Sequence, residues 1–341
     1  MQLLSLLRPV LLCAAALGLA GCEKPAAQAL ETAAPADPAV AAARAPLRLQ
    51  VCGQPVLYER IPQRAVTHGI NITEMFLALG LGDRLVGYGG LRDLSRLPPE
   101  MRAQLAQVPD LSSQDMNLET LIHAQPDFVF SGWSYGFREG QITPASLAEL
   151  GIASYVLSES CIRKIQRERV SLEDTFDDLL NLGRIFGIAE RAQDLVDGQR
   201  AELRVLAQAL QGITQWPKVF VFDSGTDIPV TTGRYAMPQA MIEAAGGSNI
   251  FDDLGSSWMR GNWEDVVDRD PDWIVIVDND RPTPGGKKEF LLRKPELSHL
   301  KAIREQRFVL LDFAEATPGP RNVQAVRRIA QALHPERVAQ P

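Results

Sequence analysis

Histidine and cysteine are scarce in this sequence, since each occurs only four times in 341 residues. A zinc or manganese site needs three or four ligands that converge on one ion. The four histidines are instead scattered along the chain, at His68, His123, His299 and His334. His123 falls inside a predicted helix, where a structural histidine is the more common role. We therefore expect no metal held by protein ligands and no bound cofactor.

Clusters of basic residues are also missing. The chain has 35 basic and 42 acidic residues, a formal net charge of −7. A nucleic-acid-binding protein usually carries a basic patch, so the charge argues against a nucleic-acid partner. The hydrophobic content of 45% and the charged content of 23% are ordinary for a soluble protein, and the length allows two lobes with cores.

The N-terminal region has no apolar run long enough to span a membrane. Residues 9–20 form an apolar run behind Arg8 that is too short for a bilayer and is typical of a secretory signal. The run ends in Leu19-Ala20-Gly21-Cys22, which resembles the bacterial lipobox. We therefore expect a lipoprotein signal peptide over residues 1–22, a lipidated Cys22 and a disordered Ala/Pro tether over residues 23–46. A plain signal peptide with a fortuitous cysteine is the alternative.

Two cysteines remain for the folded part, because Cys13 leaves with the signal and Cys22 carries lipid. Export to an oxidising compartment favours a disulfide between Cys52 and Cys161. Closing a loop of about 100 residues would stabilise the fold by roughly 4 to 5 kcal/mol in the chain-entropy model. Two unpaired, buried thiols are the alternative.

One sequence template occurs twice, 145 positions apart. Asn117-Leu118-Glu119 precedes Pro126-Asp127 and an apolar run, and Asn262-Trp263-Glu264 precedes Pro271-Asp272 and a second apolar run. Each copy predicts a short helix capped by Asn that ends near Pro and is followed by a strand. The chain is therefore predicted to build one α/β unit twice.

The remaining pattern predicts two α/β lobes. After a hairpin over residues 47–57, strands are predicted at residues 64–68, 85–88, 128–130, 154–157, 219–223, 273–277 and 308–312. Besides the two Asn-capped helices and one starting at Ser171, helices are predicted at residues 72–80, 144–150, 189–210, 238–245, 290–294 and 321–333, and a surface loop at residues 281–286. We place the N-terminal lobe at residues 47–188, a long bridging helix at 189–211 and the C-terminal lobe at 212–336.

These motifs resemble the substrate-binding proteins of ABC importers for ferric siderophores, haem and cobalamin. The resemblance covers residues 64–336 and rests on the order and spacing of short motifs: Asn71-Ile72-Thr73-Glu74, residues 78–87, the two templates, and Gly246-Gly247-Ser248-Asn249. It implies two Rossmann-like lobes joined by a single long helix, with the ligand in the cleft between them. It also implies a permease and an ATPase as partners.

In this family one glutamate on each lobe docks on arginines of the permease, and the matching positions are Glu119 and Glu264. Exposed carboxylates on both lobes would let a two-fold permease bind both through charge-assisted hydrogen bonds. Alternatively, each glutamate only interacts favourably with the dipole of its helix, which is worth about 0.3 to 1 kcal/mol.

Candidate ligand-binding residues lie where strands end, because α/β sheets place binding groups at their carboxyl ends. Aromatic rings offer flat apolar contacts, and guanidinium groups match anionic groups of a chelate. The alternative is that some of them are core aromatics and solvated arginines. The candidates are His68, Arg92, Trp133, Tyr135, Arg234, Tyr235, Trp258, Arg260 and Arg321.

The ligand is expected to be a metal chelate, with a ferric siderophore ahead of cobalamin or haem. Cobalamin binders of the family line the cleft with several aromatics, whereas Ser113 stands at one such position here. The segments Ser158-Glu159-Ser160-Cys161 and Trp133-Ser134-Tyr135-Gly136 resemble a less characterised branch whose ligands need not be siderophores.

No nucleophile elbow, phosphate loop or His-Glu metal pair occurs, so we expect a binding protein and not an enzyme. The expected location is the periplasm of a Gram-negative bacterium, with the lipid anchor in the inner or outer membrane. A ligand-sensing lipoprotein without a transport role is the alternative.

Overall fold

The computed structural model describes residues 45–279 and 282–338. The expected signal peptide, the lipidation site Cys22 and all but the last two residues of the expected tether lie outside these ranges. The first described elements are the strands of an antiparallel hairpin, β1 (Leu47–Val51) and β2 (Gln54–Tyr58). This confirms the predicted hairpin.

The N-terminal lobe is built on a five-stranded parallel sheet. Its strands are β3 (Ala65–His68), β4 (Leu85–Gly89), β5 (Asp110–Ser112), β6 (Phe128–Ser131) and β7 (Ala153–Val156), in the order β5-β4-β3-β6-β7. The helices of this part are α1 (Ile70–Ala78), α2 (Pro99–Gln104), α3 (Leu118–His123) and α4 (Pro144–Glu149). Strand β5 and helix α2 were not predicted, because the first has three residues and the second is only six residues long and begins at the second of two consecutive prolines.

Two helices follow the first sheet along the chain, α5 (Leu172–Ile185) and α6 (Ala189–Ala209). Asp174 accepts a hydrogen bond from the backbone N–H of Ser171 at 2.8 Å, which confirms the predicted start of α5. The long helix α6 has 21 residues and is the last element before the second sheet. At about 1.5 Å per residue it is roughly 31 Å long.

The C-terminal lobe contains a four-stranded parallel sheet. Its strands are β8 (Lys218–Phe222), β10 (Ser248–Asn249), β12 (Trp273–Asp278) and β13 (Phe308–Asp312), in the order β10-β8-β12-β13, and β9 (Val230–Thr232) pairs separately with β11 (Trp258–Arg260). The helices are α7 (Met237–Ala244), α8 (Trp263–Arg269), α9 (Pro284–Arg293), α10 (Lys301–Arg304), α11 (Phe313–Ala316) and α12 (Asn322–Leu333).

Both faces of the second sheet are covered by apolar side chains. Successive residues of a strand point to opposite faces. Accordingly, Val219 and Val221 of β8 join one buried cluster, whereas Phe220 and Phe222 join another. Covered faces are typical of parallel sheets, whose strands alternate with helices.

The duplicated template has the predicted local structure in both copies. Asn117 caps α3 by accepting a hydrogen bond from Thr120 N (2.8 Å), and Asn262 caps α8 by accepting one from Glu264 N (2.9 Å). The aspartate after each proline also has an equivalent hydrogen bond in both copies, which the sequence did not reveal: it accepts from a backbone N–H at or next to the start of a strand. Asp127 accepts from Arg64 N at 2.8 Å, just before β3, and Asp272 accepts from Lys218 N at 3.0 Å, at the start of β8.

One prediction for the second half was wrong. Residues 284–286, expected in a surface loop, form the first turn of α9. Thr283 caps this helix by accepting a hydrogen bond from Gly286 N at 3.2 Å, and Pro284 occupies the first helical position, where its missing N–H costs nothing. The expected disulfide between Cys52 and Cys161 is confirmed.

Candidate ligand-binding cleft

A cavity of about 410 Å³ lies at the carboxyl ends of strands from both sheets. The N-terminal lobe contributes His68, which ends β3, and Gly90, which follows β4. The C-terminal lobe contributes Asp278 and Asp312, which end β12 and β13. The cavity is therefore a cleft between the two lobes, at the edge where parallel sheets usually bind ligands.

The walls of this first cavity are rich in charged groups of both signs. Arg138 lies 2.8 Å from Asp115, and Arg96 reaches across the cleft to Asp278 at 3.0 Å. Arg92 is exposed and, among the described residues, has no ion-pair partner. Arg92 is thus an exposed guanidinium group in the wall of this cavity.

Two predicted ligand residues of this cavity are already engaged with protein groups. His68 is buried, with Nδ1 2.6 Å from the carbonyl oxygen of Tyr135 and Nε2 2.9 Å from that of Gln114. Arg321 donates from Nε to Glu74 at 2.9 Å, and its Nη1 lies 3.2 Å from Asp312. Both side chains help to fix the walls of the cavity.

A second cavity of about 280 Å³ adjoins the first and has aromatic walls. Trp133 and Tyr135 come from the N-terminal lobe, and Trp258 and Phe313 come from the C-terminal lobe. The rings of Trp258 and Phe313 are 6.4 Å apart and inclined by 31°. The two cavities have lining residues in common, namely Ser134, Tyr135, Asn279 and Phe313. Together they form one cleft with a polar part and an aromatic part.

Six of the nine predicted ligand residues line this cleft: His68, Arg92, Trp133, Tyr135, Trp258 and Arg321. The other three, Arg234, Tyr235 and Arg260, line neither cavity. Arg234 instead donates to the backbone carbonyls of Asp252 and Asp253 at 3.0 and 2.9 Å. Tyr235 packs against the core beside Gly255, and Arg260 is exposed at the end of β11.

Several residues that line the cleft were not predicted from the sequence. Asp312 ends one predicted strand and Asp278 directly follows another, so the strand-end rule that selected His68 would have found them. Arg96 ends a single 3-10 turn and Arg138 lies in an irregular segment, and neither position carries such a signal. Glu159 lies in a segment noted for its resemblance, but nothing in the sequence showed that it faces a cavity.

The two candidate docking glutamates occupy equivalent positions. Glu119 and Glu264 are each the second residue of an Asn-capped helix, and both are exposed. Within residues 45–279 and 282–338, no group of three or more His, Cys, Asp or Glu side chains is arranged to hold a metal ion. None of the described helices is both long and apolar enough to cross a membrane.

The fold and cleft define a two-lobed binding protein. Residues 66–315 match the family model described as "Periplasmic binding protein", so the chain belongs to the periplasmic binding protein family. Members of this family are binding proteins and not enzymes. The chain is similar to the ABC transporter substrate-binding lipoprotein YvrC of Bacillus subtilis, with 23% identity over 83% of each chain. It is also similar to the vitamin B12-binding protein of Pectobacterium atrosepticum, with 27% identity over 63% of this chain and 72% of that protein.

Solved structures show the same architecture. A periplasmic binding protein from Veillonella parvula superposes with a TM-score of 0.74 at 27% identity, covering 85% of this chain and 98% of that chain. A protein of an Fe3+-hydroxamate transport system from Saccharomonospora viridis superposes with a TM-score of 0.73 at 24% identity, covering 85% of this chain and 100% of that chain. At that identity the second likeness concerns the fold alone.

Proposed function

We propose that this substrate-binding protein of an ABC importer captures a metal chelate, in the first place a ferric siderophore, outside the cytoplasm and delivers it to a membrane permease. The observation that carries the proposal is the cleft, which is formed by both lobes and has the exposed Arg92 at its polar end. A guanidinium group suits the anionic oxygens of a ferric chelate.

The aromatic part of the cleft supports a second candidate, a corrinoid or haem. Four rings, those of Trp133, Tyr135, Trp258 and Phe313, line the second cavity and offer flat apolar surfaces to a planar ligand. Some relatives of the chain are vitamin B12-binding proteins, and among the structural neighbours is a haem-binding protein of Roseiflexus. Both candidates belong to one class, metal chelates taken up by importers.

Binding can be measured through tryptophan fluorescence, because Trp133 and Trp258 line the second cavity. The protein is titrated with ferric hydroxamate and catecholate siderophores, haem and cobalamin. We expect one class to quench the fluorescence with saturation, and Arg92→Ala to weaken an anionic chelate about tenfold. Absence of saturable binding by every member of the panel would refute the chelate proposal.

Delivery is proposed to use Glu119 and Glu264 as the contacts with the permease, which works with an ATPase subunit. ATP-driven uptake into vesicles should fall at least tenfold for Glu119→Ala combined with Glu264→Ala, while ligand affinity stays unchanged. Asp268→Ala is a matched control, since Asp268 is an exposed carboxylate on the same helix as Glu264. Undiminished uptake by the double variant would refute the docking role of the two glutamates. Absence of ATP-driven uptake with the wild type would instead favour a sensor without transport.

Membrane attachment is proposed to depend on lipid at Cys22, in the inner or outer membrane of a Gram-negative cell. Cells that express the protein should incorporate labelled palmitate into it, and Cys22→Ala should abolish both the label and membrane retention. Unchanged labelling of Cys22→Ala would overturn the anchor.

A further inference from the structure

Both ring nitrogens of His68 face a backbone carbonyl oxygen. His68 ends β3, and 5% of its surface is exposed. Nδ1 lies 2.6 Å from the carbonyl oxygen of Tyr135, and Nε2 lies 2.9 Å from that of Gln114. A carbonyl oxygen accepts hydrogen bonds and cannot donate them. Both ring nitrogens must therefore carry a proton if both hydrogen bonds are made.

A neutral imidazole would satisfy only one of the two carbonyls, because only one of its nitrogens carries a proton. The lone pair of the other nitrogen would then point at an oxygen within hydrogen-bond distance, and two acceptors repel each other. Charge-assisted N–H···O bonds are about 2.7 to 2.9 Å long, and neither contact of His68 is longer than this. Burial disfavours a charged imidazole, but the two carbonyl oxygens offset that cost.

Two glycines hold the ring in this orientation. A Cβ added at Gly136 would lie 2.7 Å from Nδ1 of His68, and one added at Gly90 would lie 3.1 Å from Nε2. Side chains at these two positions would displace the imidazole. The backbone is thus packed directly against the ring beside each of its nitrogens.

His334 offers a comparison within the same protein. It is buried to the same extent, with 5% of its surface exposed. Its Nε2 lies 3.0 Å from the carbonyl oxygen of Gly246, which is the one hydrogen bond of its ring within residues 45–279 and 282–338. A neutral tautomer is sufficient for this contact. The pair of carbonyl oxygens is therefore particular to His68 and does not follow from burial alone.

The two carbonyls belong to different loops of the cleft wall. Gln114 follows β5 and Tyr135 follows β6, and these strands are separated in the sheet by β4 and β3. Both residues line the first, polar cavity, and Tyr135 also lines the second, aromatic cavity. A second link between the loops is the ion pair of Arg138 and Asp115, whose side chains are 47% and 48% exposed. Exposed ion pairs contribute little, so His68 is the buried link between the loops.

The charged side chains around His68 occur in balanced numbers. In the loops of the N-terminal lobe that line the first cavity, Arg92 and Asp93 follow β4, Asp115 follows β5 and Arg138 follows β6. Asp93 accepts a hydrogen bond from Ser95 N at 2.8 Å. These four charges cancel formally.

The charges that meet across the cleft are balanced as well. Asp278 and Asp312 of the C-terminal lobe pair with Arg96 at 3.0 Å and with Arg321 at 3.2 Å. Arg321 also pairs with Glu74 of helix α1, which does not line the cavity. The described lining thus contains four arginines and four aspartates. Their charges cancel, so this cavity is formally positive only when its histidine is doubly protonated.

We propose that His68 is doubly protonated in the folded protein at neutral pH, that it positions the loops carrying Gln114 and Tyr135, and that its charge makes the polar cavity select an anionic ligand. The selection rests on the proposed function, whereas the charge and the positioning role need no ligand. Loss of the second proton removes one hydrogen bond and the positive charge together. Affinity for an anion therefore falls as the pH rises through this deprotonation.

NMR of ¹⁵N-labelled histidine measures the charge directly, since protonated and unprotonated ring nitrogens give well-separated signals. Replacing His123, His299 and His334 by glutamine, one at a time, assigns the signals while His68 stays unchanged. At pH 7 we expect both ring nitrogens of His68 to carry a proton. An unprotonated ring nitrogen on His68 at this pH overturns the inference.

Amide hydrogen exchange tests the positioning role. At pH 7, His68→Gln should raise exchange at least tenfold in residues 113–115 and 134–138, because the buried link between the loops is lost. His123→Gln, at an exposed position of the same lobe, is the control and should change neither loop. Equal exchange in the wild type and His68→Gln overturns the positioning role. If His68→Gln fails to fold, the wild type is compared below and above the deprotonation seen by NMR, with rates corrected for the intrinsic effect of pH.

Two siderophores of different charge test the selection. Ferric enterobactin is a trianionic catecholate chelate, and ferrichrome is an uncharged hydroxamate chelate. Their affinities for the wild type are measured by tryptophan quenching between pH 6 and pH 9, together with haem and cobalamin. We expect the preference for ferric enterobactin to fall at least fivefold over the pH range in which His68 loses its proton. A preference that stays constant over this range overturns the selection.

The remaining outcomes separate the selection from the proposed function. If only uncharged members of the panel bind, anion selection is wrong and chelate capture stands. If no member binds at any pH, chelate capture is wrong and anion selection is wrong with it. In that case the NMR and exchange results still decide the charge and the positioning role of His68.

Discussion

The guanidinium group of Arg321 lies 2.8 Å from the carboxylate of Glu74 and joins helix α1 of the N-terminal lobe to the C-terminal lobe. Glu74 has no exposed surface, and burial raises its pKa to about 7 although Arg321 opposes the rise. The second partner of Arg321 is Asp312, at 3.2 Å. A residue that the sequence placed in the ligand site therefore fixes one lobe against the other.

Removing Arg321 alone should strongly destabilise the protein. Arg321→Met leaves the Glu74 carboxyl buried without its partner, which typically costs about 3 to 5 kcal/mol. Adding Glu74→Met should restore part of the loss, because no buried charge is then left. Urea unfolding at pH 7.5 measures both, with Arg327→Met on an exposed site of α12 as the control. A loss for Arg321→Met no larger than that of the control would contradict the role of the ion pair.

Reduction of the disulfide should lower stability and disturb the aromatic cavity together. Cys52 and Cys161 are 109 positions apart, so the crosslink removes much freedom from the unfolded chain. We expect Cys52→Ala combined with Cys161→Ala to lower the free energy of unfolding by about 2 to 5 kcal/mol. Denaturant unfolding with and without reductant checks this. The reduced wild type should match the double variant, and a reductant effect on the variant itself would point to another cause.

The free energy of unfolding should fall as the pH rises from about 4.5 to about 7. Burial raises the pKa of Glu74, Glu159 and Asp178 to about 7. In that window the folded state keeps protons that the unfolded chain has already released, so stability is lost as the pH rises through the folded pKa values. Above about pH 7 the loss from these groups is complete.

Glu159→Gln isolates one of these groups. Glutamine does not ionise, so the variant should gain stability relative to the wild type by about 1 to 3 kcal/mol between pH 5 and pH 8. Thermal and urea unfolding of both proteins at the two pH values gives the difference. An equal pH dependence of wild type and variant would mean that Glu159 does not titrate in this window.

Arg96 should limit the relative motion of the lobes. It follows β4 of the N-terminal lobe, yet it contacts Asp278 at 3.0 Å and approaches Asp312 at 3.7 Å in the C-terminal lobe. We expect Arg96→Met to increase amide hydrogen exchange at least several-fold around residues 94–97, because the ion pair to Asp278 is the contact that ties this turn to the other lobe. Arg102→Met, at an exposed position of α2, should leave the exchange unchanged. Equal amide exchange in both variants would show that the ion pair between Arg96 and Asp278 does not restrain the two lobes.

Much of the fold followed from local sequence, as the two templates show. Asn117 and Asn262 cap helices in both copies because an Asn side chain can satisfy the first free N–H groups of any helix. The longer parallel strands were predicted from their buried, continuous apolar runs. The short strands β9, β10 and β11 were missed, since two or three residues carry no measurable period.

The residues that line the cleft were predictable only in part. Trp133 follows the end of β6, as the strand-end rule expected, and Trp258 lines the cavity although it begins β11. Arg234 was selected by the same rule and lies outside both cavities. Its guanidinium group binds the carbonyls of Asp252 and Asp253, a contact that depends on how the loop folds back. A rule that places side chains near an edge says nothing about their hydrogen-bond partners.

The sequence by itself determined the class of protein: a repeated α/β unit, an N-terminal run typical of export, and motifs of one binding-protein family. These depend on local periodicity and capping, which act between near neighbours in the chain. Only the tertiary structure decided that Arg321 pairs with Glu74 and that Glu159 is buried in the wall of the aromatic cavity. Such contacts join residues from distant segments, and burial and charge at those points are set by packing that no single segment contains.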